Sequence, residues 1–391
     1  MDILNREMKI LVALITEKIR NREDKKKYWK TLKKEKSREL GIILDLPEGA
    51  DVSPGELIGF DIDPDSKLIL LNYTSQAHNI LHEIPGGWTE PMRMMRGLVY
   101  SYETPGDISG VKLVSRGFEK FFNQSELEET SIDNLRKISG DKKLKCVEKA
   151  DGHMIQYFMD GHFLSATTRG KFGTPSSTEA LRLMNRAQWI KAEVIAKSLG
   201  VELMTLVTEL VTPSTEVHVD YDGAETLYLL AAFDTDGNKI HDSILSDIVG
   251  AMPETFKMPE YVSMTLDEIL DDISDRNIVN KEGWVVDFFG KLVKFKYETY
   301  IGRMVASKLS YKYIMRCLQN DRHEKMMSTL PEEIREVSNI MTEEVMDKVK
   351  ECMVAGTYTP LYDLHSQLDG GRDYFRTVCR EFYREYIENI F

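Results

Sequence analysis

The sequence predicts an α+β fold, an antiparallel-sheet domain followed by a small all-helical C-terminal domain. Three observations carry this. Past Pro47, short β-rich runs alternate with Gly-, Pro- and Asp-rich breaks. Two tight connections between strand-like runs, Asp160-Gly161 and Gly290-Lys291, predict hairpins and so antiparallel pairing. From about residue 300 the apolar period becomes helical, at Ile334, Val337, Met341, Val345, Val349 and Met353 and again at Phe375, Val378, Phe382 and Tyr386, and β-type runs vanish. The expected division is an N-terminal helical and basic segment over 1–45 packed on the next domain, a sheet domain over 46–300, and a helical domain over 301–391.

At 391 residues with 42% apolar content, the chain is long enough for two or three well-cored domains. Cys146, Cys317, Cys352 and Cys379 are widely spaced with no C-x-x-C pair, which argues against a zinc ribbon or a disulfide framework and fits buried thiols in a reducing cytoplasm. The apolar run Leu11–Ile15 is too short for a membrane span, and no signal-peptide pattern follows it, so a cytoplasmic location and no membrane partner are expected. Net charge is −13, ordinarily unfavourable for a nucleic-acid partner, yet residues 18–38 hold eleven Lys/Arg against three acids. That segment reads equally as a solvated helix face or an RNA contact.

In chain order, Ile3, Leu4, Met8, Leu11, Leu14, Ile15 and Ile19 have helical spacing and predict an amphipathic helix over 2–20. Strands are expected over 57–61, 67–73, 96–102 and 111–116. The Lys149 turn follows, then strands over 153–159 and 162–168, one helix over 176–200, strands over 204–211 and 226–234, and a short helix within 253–275. Lys281–Phe289 and Leu292–Tyr297 read as a hairpin joined by a II′-type Gly290-Lys291 turn.

Chemistry concentrates at a few positions. Lys149-Ala150-Asp151-Gly152 places an amine at a strand end, a carboxylate two residues on, and a glycine that lets backbone approach closely. Glu209 stands alone in the apolar run 206–211, which is costly unless it is paired or faces a polar cavity. Period-two alternation puts Lys294 and Lys296 on one face, where two ammonium groups suit an anion between them; a lysine-protected sheet edge is the plainer alternative. By the same parity Glu282 reaches that face only if Gly283 bends the strand. Arg96-Gly97, Ser115-Arg116 and Glu119-Lys120-Phe121-Phe122-Asn123 set cations among glycine and aromatics, either as phosphate contacts or as core strands with paired edges. His78 and His82 are four apart, but no third ligand of suitable spacing follows, so they read as structural or surface groups rather than a zinc site.

With these residues in view, the sequence resembles the phage-type RNA ligase 1 family, within the covalent nucleotidyltransferases that include DNA ligases and capping enzymes. The likeness runs from roughly Asn72 to Ser307, through Asn72-Tyr73-Thr74, Arg96-Gly97, Ser115-Arg116, Glu119–Asn123, Lys149–Gly152, Glu209 before Thr212-Pro213, Glu282-Gly283 and Lys294-Phe295-Lys296. The resemblance implies that 46–300 is a nucleotidyltransferase (adenylation) domain, and that the chain is an ATP-dependent RNA ligase. Lys149 would attack the α-phosphorus of ATP to give lysyl-AMP, the AMP would pass to an RNA 5′-phosphate, and a 3′-hydroxyl would then attack that end. Lys294 and Lys296 would contact the α-phosphate, Arg96 and Lys120 the β/γ-phosphates or the RNA end, Glu209 the ribose, and Glu282, with Asp151, the metal, Mg²⁺ or Mn²⁺. Because attack needs a neutral amine, Lys294, Lys296 and the metal together are expected to push the Lys149 pKa down. Adenine is expected in an apolar slot against Tyr228 or Phe233.

The chain departs from the family pattern at Arg169-Gly170, where a lysine usually precedes the glycine; Arg169 or the following Lys171 could serve an anion instead. Nothing after Lys296 looks like the OB-fold of DNA ligases and capping enzymes. The substrate implied is RNA with 5′-phosphate and 3′-hydroxyl ends, in tRNA-like repair in the phage or host-cell cytosol, and a monomer is expected. The alternatives are a nick-sealing or capping-type nucleotidyltransferase, and a non-catalytic RNA-end-binding protein on a ligase-like scaffold.

Overall fold

The computed structural model describes residues 2–354 apart from 49, 51, 216, 320, 321 and 331, so the helical pattern expected at Phe375, Val378, Phe382 and Tyr386, and Cys379, lie outside the described residues. Helix α1 (Asp2–Thr16) buries Met8, Leu11, Val12 and Ile15. It stops short of the expected residue 20, and the Thr16 hydroxyl donates back to the Val12 carbonyl at 2.8 Å. Helix α2 (Arg22–Glu35) starts where the Asn21 side chain accepts from the Glu23 and Asp24 amides, and α3 (Ser37–Ile43) follows.

These helices share one core with a four-stranded antiparallel sheet. Its strands are β1 (Ile58–Asp63), β2 (Leu68–Tyr73), β3 (Arg96–Ser101) and β4 (Lys112–Ser115), in that order, with short helices α4 (Pro54–Leu57), α5 (Ser75–Glu83) and α6 (Glu90–Met94) between them. Part of the basic charge on α2 serves as a fastening to this sheet. Arg22 grips the buried Asp61 carboxylate with two hydrogen bonds at 2.9 and 2.7 Å, Lys33 pairs with Glu56, and Lys25 donates to the Phe60 carbonyl. The outward side chains of Lys26, Lys27, Lys30 and Lys34 remain exposed.

Two five-stranded sheets follow. The strands are β5 (Phe122–Asn123), β6 (Leu144–Glu148), β7 (His153–Asp160), β8 (Phe163–Thr168), β9 (Leu203–Val211), β10 (Thr226–Asp234), β11 (Phe256–Lys257), β12 (Tyr261–Met264), β13 (Gly283–Phe288) and β14 (Lys291–Lys296). One sheet runs β11-β10-β9-β7-β8 and the other β12-β6-β13-β14-β5, antiparallel except for the β10/β11 and β14/β5 pairs. Buried Gln156 of β7 ties the first sheet to the second: it accepts from the Ser115 hydroxyl at 3.0 Å and donates to the Gly97 carbonyl at 2.9 Å.

Several expectations change in detail. Helix 176–200 is two helices, α8 (Pro175–Leu183) and α9 (Arg186–Ser198), because Asn185 and Gln188 exchange side-chain-to-amide bonds in a capping box that begins a new helix. Helix α7 (Ile132–Ser139) precedes β6, α10 (Asp242–Gly250) follows β10, and α11 (Leu266–Ser274) is the short helix expected within 253–275. The β13–β14 loop is Phe289-Gly290, with φ of 55° and 101° and Phe288 facing Lys291. Two positive-φ residues make the turn I′-like, and β14 begins at Lys291.

After Lys296 no strand occurs among the described residues, only α12 (Glu298–Lys308), α13 (Tyr311–Gln319), α14 (His323–Thr329) and α15 (Glu332–Val354). Helix α12 runs across residue 300, with Tyr300 in the core of the third sheet and Val305 and Ala306 in that of the last helices. No described helix is long and apolar enough to cross a membrane.

Candidate active site

A cleft of about 690 Å³ opens between the two five-stranded sheets. Of the residues singled out in the sequence, Arg96, Lys149, Arg169, Glu209, Lys294 and Lys296 line it. Lys149 enters just beyond β6, where its amide donates to the Gly283 carbonyl at 2.9 Å. Gly152 sets how deep the turn sits: a Cβ there would lie 2.5 Å from the Leu210 carbonyl oxygen and 2.9 Å from Glu209 Cγ, so only glycine lets the turn lean on β9 beside Glu209.

Glu282 does reach the lysine face, and Gly283 is the reason. Its φ is +150°, and a Cβ there would fall 2.0 Å from the Phe295 carbonyl oxygen. The bend delivers a buried carboxylate whose Oε2 meets Lys149 Nζ at 2.7 Å and whose Oε1 meets Lys296 Nζ at 2.8 Å. Lys294, on the same face of β14, donates instead to the Phe121 carbonyl at 3.0 Å with its ammonium 4.4 Å from the centre of the Phe121 ring.

Among the protein's own groups the balance at Lys149 runs the other way from the one expected with a metal bound. Burial alone would lower the Lys149 pKa, but Glu282, Glu209 and Asp151 outweigh it and hold the amine above its ordinary value. Lys294 is the lysine pushed well below, by burial first and then by Lys120, Arg96 and Lys149. Glu209 is pushed up to about 7, chiefly by burial, with Lys149 opposing and Glu282 reinforcing the rise. The resting site thus holds Lys149 as an ammonium ion.

Other expected residues sit elsewhere. Asp151 Oδ2 accepts the amides of His218 and Val219 at 2.7 and 3.1 Å, which places it as an anchor for that loop. Arg116 is buried away from the cleft, donating to the Gly237 carbonyl at 2.9 Å and covering the Phe233 ring at 4.8 Å. Neither Phe233 nor Tyr228 lines the cleft; its aromatics are Phe118 and Phe121, with Val147, Met154, Leu230 and Pro259 as further apolar wall. Arg169 donates to the Tyr73 hydroxyl at 3.0 Å, whereas Lys171 is exposed outside. Lys120 is not among the residues lining the cleft; its Nζ lies 3.4 Å from Glu126 and over the Phe122 ring at 4.7 Å.

Sequence reasoning missed His153, whose Nδ1 meets the Ser176 hydroxyl at 2.7 Å in the cleft wall, and Lys145, Lys239 and Asp242 on the opposite rim. It also missed the third member of the His78/His82 pair. Glu126, 44 positions beyond His82, brings Oε1 to 3.3 Å from His82 Nε2 and 3.7 Å from His78 Nε2. Spacing in the sequence gives no signal of that contact.

No curated protein matches the chain. Among solved structures, one form of an archaeal ATP-dependent RNA ligase is similar at 13% identity, covering 71% of this chain and 70% of its own, with a TM-score of 0.46. A second form covers 74% and 72% at the same identity and score. The Naegleria gruberi RNA ligase with AMP and Mn is similar at 18% identity, over 44% of this chain and 54% of that one, with a TM-score of 0.33. The model of the RNA ligase family matches residues 94–300, more than half of the chain. Since that span runs from just before Arg96, through the Lys149 turn and Glu209, to just past Lys296, the residues gathered in the cleft lie within the matched region, and the chain belongs to the RNA ligase family.

Proposed function

We propose that this RNA ligase is ATP-dependent and works through Lys149, joining RNA 5′-phosphate and 3′-hydroxyl ends by way of lysyl-AMP and RNA-adenylate intermediates. The observation that carries the proposal is the convergence of Lys149 and Lys296 on Glu282, 133 residues from Lys149 in sequence, at a cleft that Lys149, Lys296 and Glu209 line. In the first step the Lys149 nitrogen forms a bond to the α-phosphorus, the bond from that phosphorus to the bridging oxygen breaks, and pyrophosphate leaves with the electron pair. Lys149 must first pass a proton to solvent and give up its pairing with Glu282. Lys294 and Lys296 stand on the face where the α-phosphate would lie, and Arg96 continues the positive wall toward the β/γ-phosphates. Phe118 and Phe121 with Met154 and Leu230 form the apolar side suited to adenine.

The carboxylates of Glu282 and Glu209 offer the hard oxygen donors that suit Mg²⁺ or Mn²⁺. A bound divalent cation supplies neutralisation of phosphate charge. Asp151, committed to two backbone amides, stands behind them as support. The substrate assigned is a single-stranded or loop-broken RNA of the tRNA-like repair kind, in keeping with the helical stretch after Lys296 and the likeness to the RNA ligase 1 type.

Incubation with α-labelled ATP and Mg²⁺ followed by denaturing electrophoresis tests this. A covalent AMP adduct is expected in the wild type, absent in Lys149→Ala and abolished by EDTA. Failure of the wild type to form an adduct sinks the proposal, and labelling by GTP alone reassigns it to a capping chemistry. Circularisation of a 5′-phosphorylated single strand, measured against sealing of a nicked duplex, checks the substrate class.

A further inference from the structure

We propose that His78, His82 and Glu126 form a transition-metal site of the zinc class, separate from the carboxylates of the cleft. The two histidines stand one turn apart on α5, their rings 4.3 Å centre to centre. Glu126 completes the set from the turn after β5, and one ligand atom from each of the three lies within 4.8 Å of the others. Two imidazoles and one carboxylate are a zinc-type donor set, with a fourth position left to water.

A second observation points to a ligand. His82 Nδ1 contacts the His78 carbonyl oxygen, which can only accept, while the Trp88 indole N–H, which can only donate, points at the same Nδ1 at 3.2 Å, so the two neighbours ask for opposite tautomers. His82 Nε2 is buried and has no hydrogen-bond partner, and it faces the Glu126 carboxylate. With the hydrogen on Nδ1 this sets a lone pair against a carboxylate oxygen, an arrangement that a metal ion between them satisfies; with a hydrogen on Nε2 it is a 3.3 Å pairing with Glu126. An imidazole whose other nitrogen donates to a backbone carbonyl is also the usual form of a metal-ligating histidine.

Two cations border the site. Lys120 Nζ is 3.4 Å from the same Glu126 oxygen, and Lys294 lies beyond it. Lys120 therefore competes with the metal for Glu126, while its ammonium also rests 4.7 and 5.5 Å from the centres of the Phe122 and Trp88 rings.

The test is calorimetric titration of the full chain with Zn²⁺ under saturating Mg²⁺, with Co²⁺ absorption as a second readout. One equivalent of Zn²⁺ is expected to bind, weakened at least about tenfold in Glu126→Gln and His82→Ala. His78→Gln, at a more exposed position, gives the same readout if His82→Ala does not fold. Affinity is expected to rise in Lys120→Met and to stay unchanged in Lys149→Ala and Glu282→Gln, which separates this site from the cleft. Absence of stoichiometric binding, binding indifferent to all three ligand substitutions, or binding lost in Glu282→Gln overturns the proposal.

Discussion

Glu209 shows how one side chain can record its surroundings in the pH dependence of the whole protein. Its ordinary pKa of 4.5 rises to about 7 in the folded chain. A group raised on folding contributes stability that is fully present below its unfolded pKa and lost as pH rises through its folded one. Wild-type stability is therefore expected to fall by up to about 3 kcal/mol, relative to Glu209→Gln, between pH 4.5 and pH 8; urea midpoints of the metal-free proteins measure this. Lys149 carries the companion effect. With Glu282 and Glu209 holding its pKa up, adduct formation at saturating ATP should rise with pH, and Glu282→Gln should move that rise to lower pH while reducing the plateau. An unmoved limb would mean that Glu282 does not set the protonation of Lys149. The sequence, with the metal counted in, led to the opposite sign for Lys149 because the cations that follow it on β14 are visible in the sequence as a pattern, whereas Glu282 and Glu209 become its neighbours only through the fold.

Among the elements, β14 was the most readable. Period-two alternation is fixed by backbone geometry, so Lys294 and Lys296 had to share a face whatever the sheet did. The bend that brings Glu282 to that face could be stated only as a condition on Gly283, since its φ is imposed by the β13–β14 pairing. Gly283→Ala is expected to cost on the order of 2–4 kcal/mol and to abolish the adduct, because the Phe295 carbonyl is backbone and cannot retreat. Helix α2 behaves differently. Its lysine-rich composition suggested solvent or RNA, but Arg22, Lys25 and Lys33 turn to the sheet. Burial would raise the Asp61 pKa; the Arg22 guanidinium and the Phe172 amide outweigh it and hold the carboxyl low. Arg22→Ala should thus lower stability by about 1–2 kcal/mol at neutral pH. That difference is present above the ordinary carboxylate pKa and closes as pH falls through the depressed one, which thermal melts at graded pH can follow.

At the scale of the molecule, the sequence yielded the mixed architecture, most strands and the helical stretch after Lys296, because alternation, turns and helical period are local. The directions of Lys120, Arg116 and Asp151 were not readable, since each is decided by a partner distant in sequence: Glu126 in a turn, Gly237 beyond β10, the amides of His218 and Val219. A division at residue 300, proposed from texture alone, cuts α12, whose Tyr300 packs with the third sheet and whose Arg303 donates to the His218 carbonyl at 2.8 Å. A chain ending at residue 300 is accordingly expected to lose adduct formation, and one ending after α14 to keep it; the labelled-ATP gel distinguishes them. The doubly engaged Glu282 carboxylate has a consequence beyond ligation. An amine stored as its ammonium salt is inert toward stray electrophiles, so acylating and carbamylating agents should modify Lys149 in the resting protein more slowly than its place in an open cleft suggests.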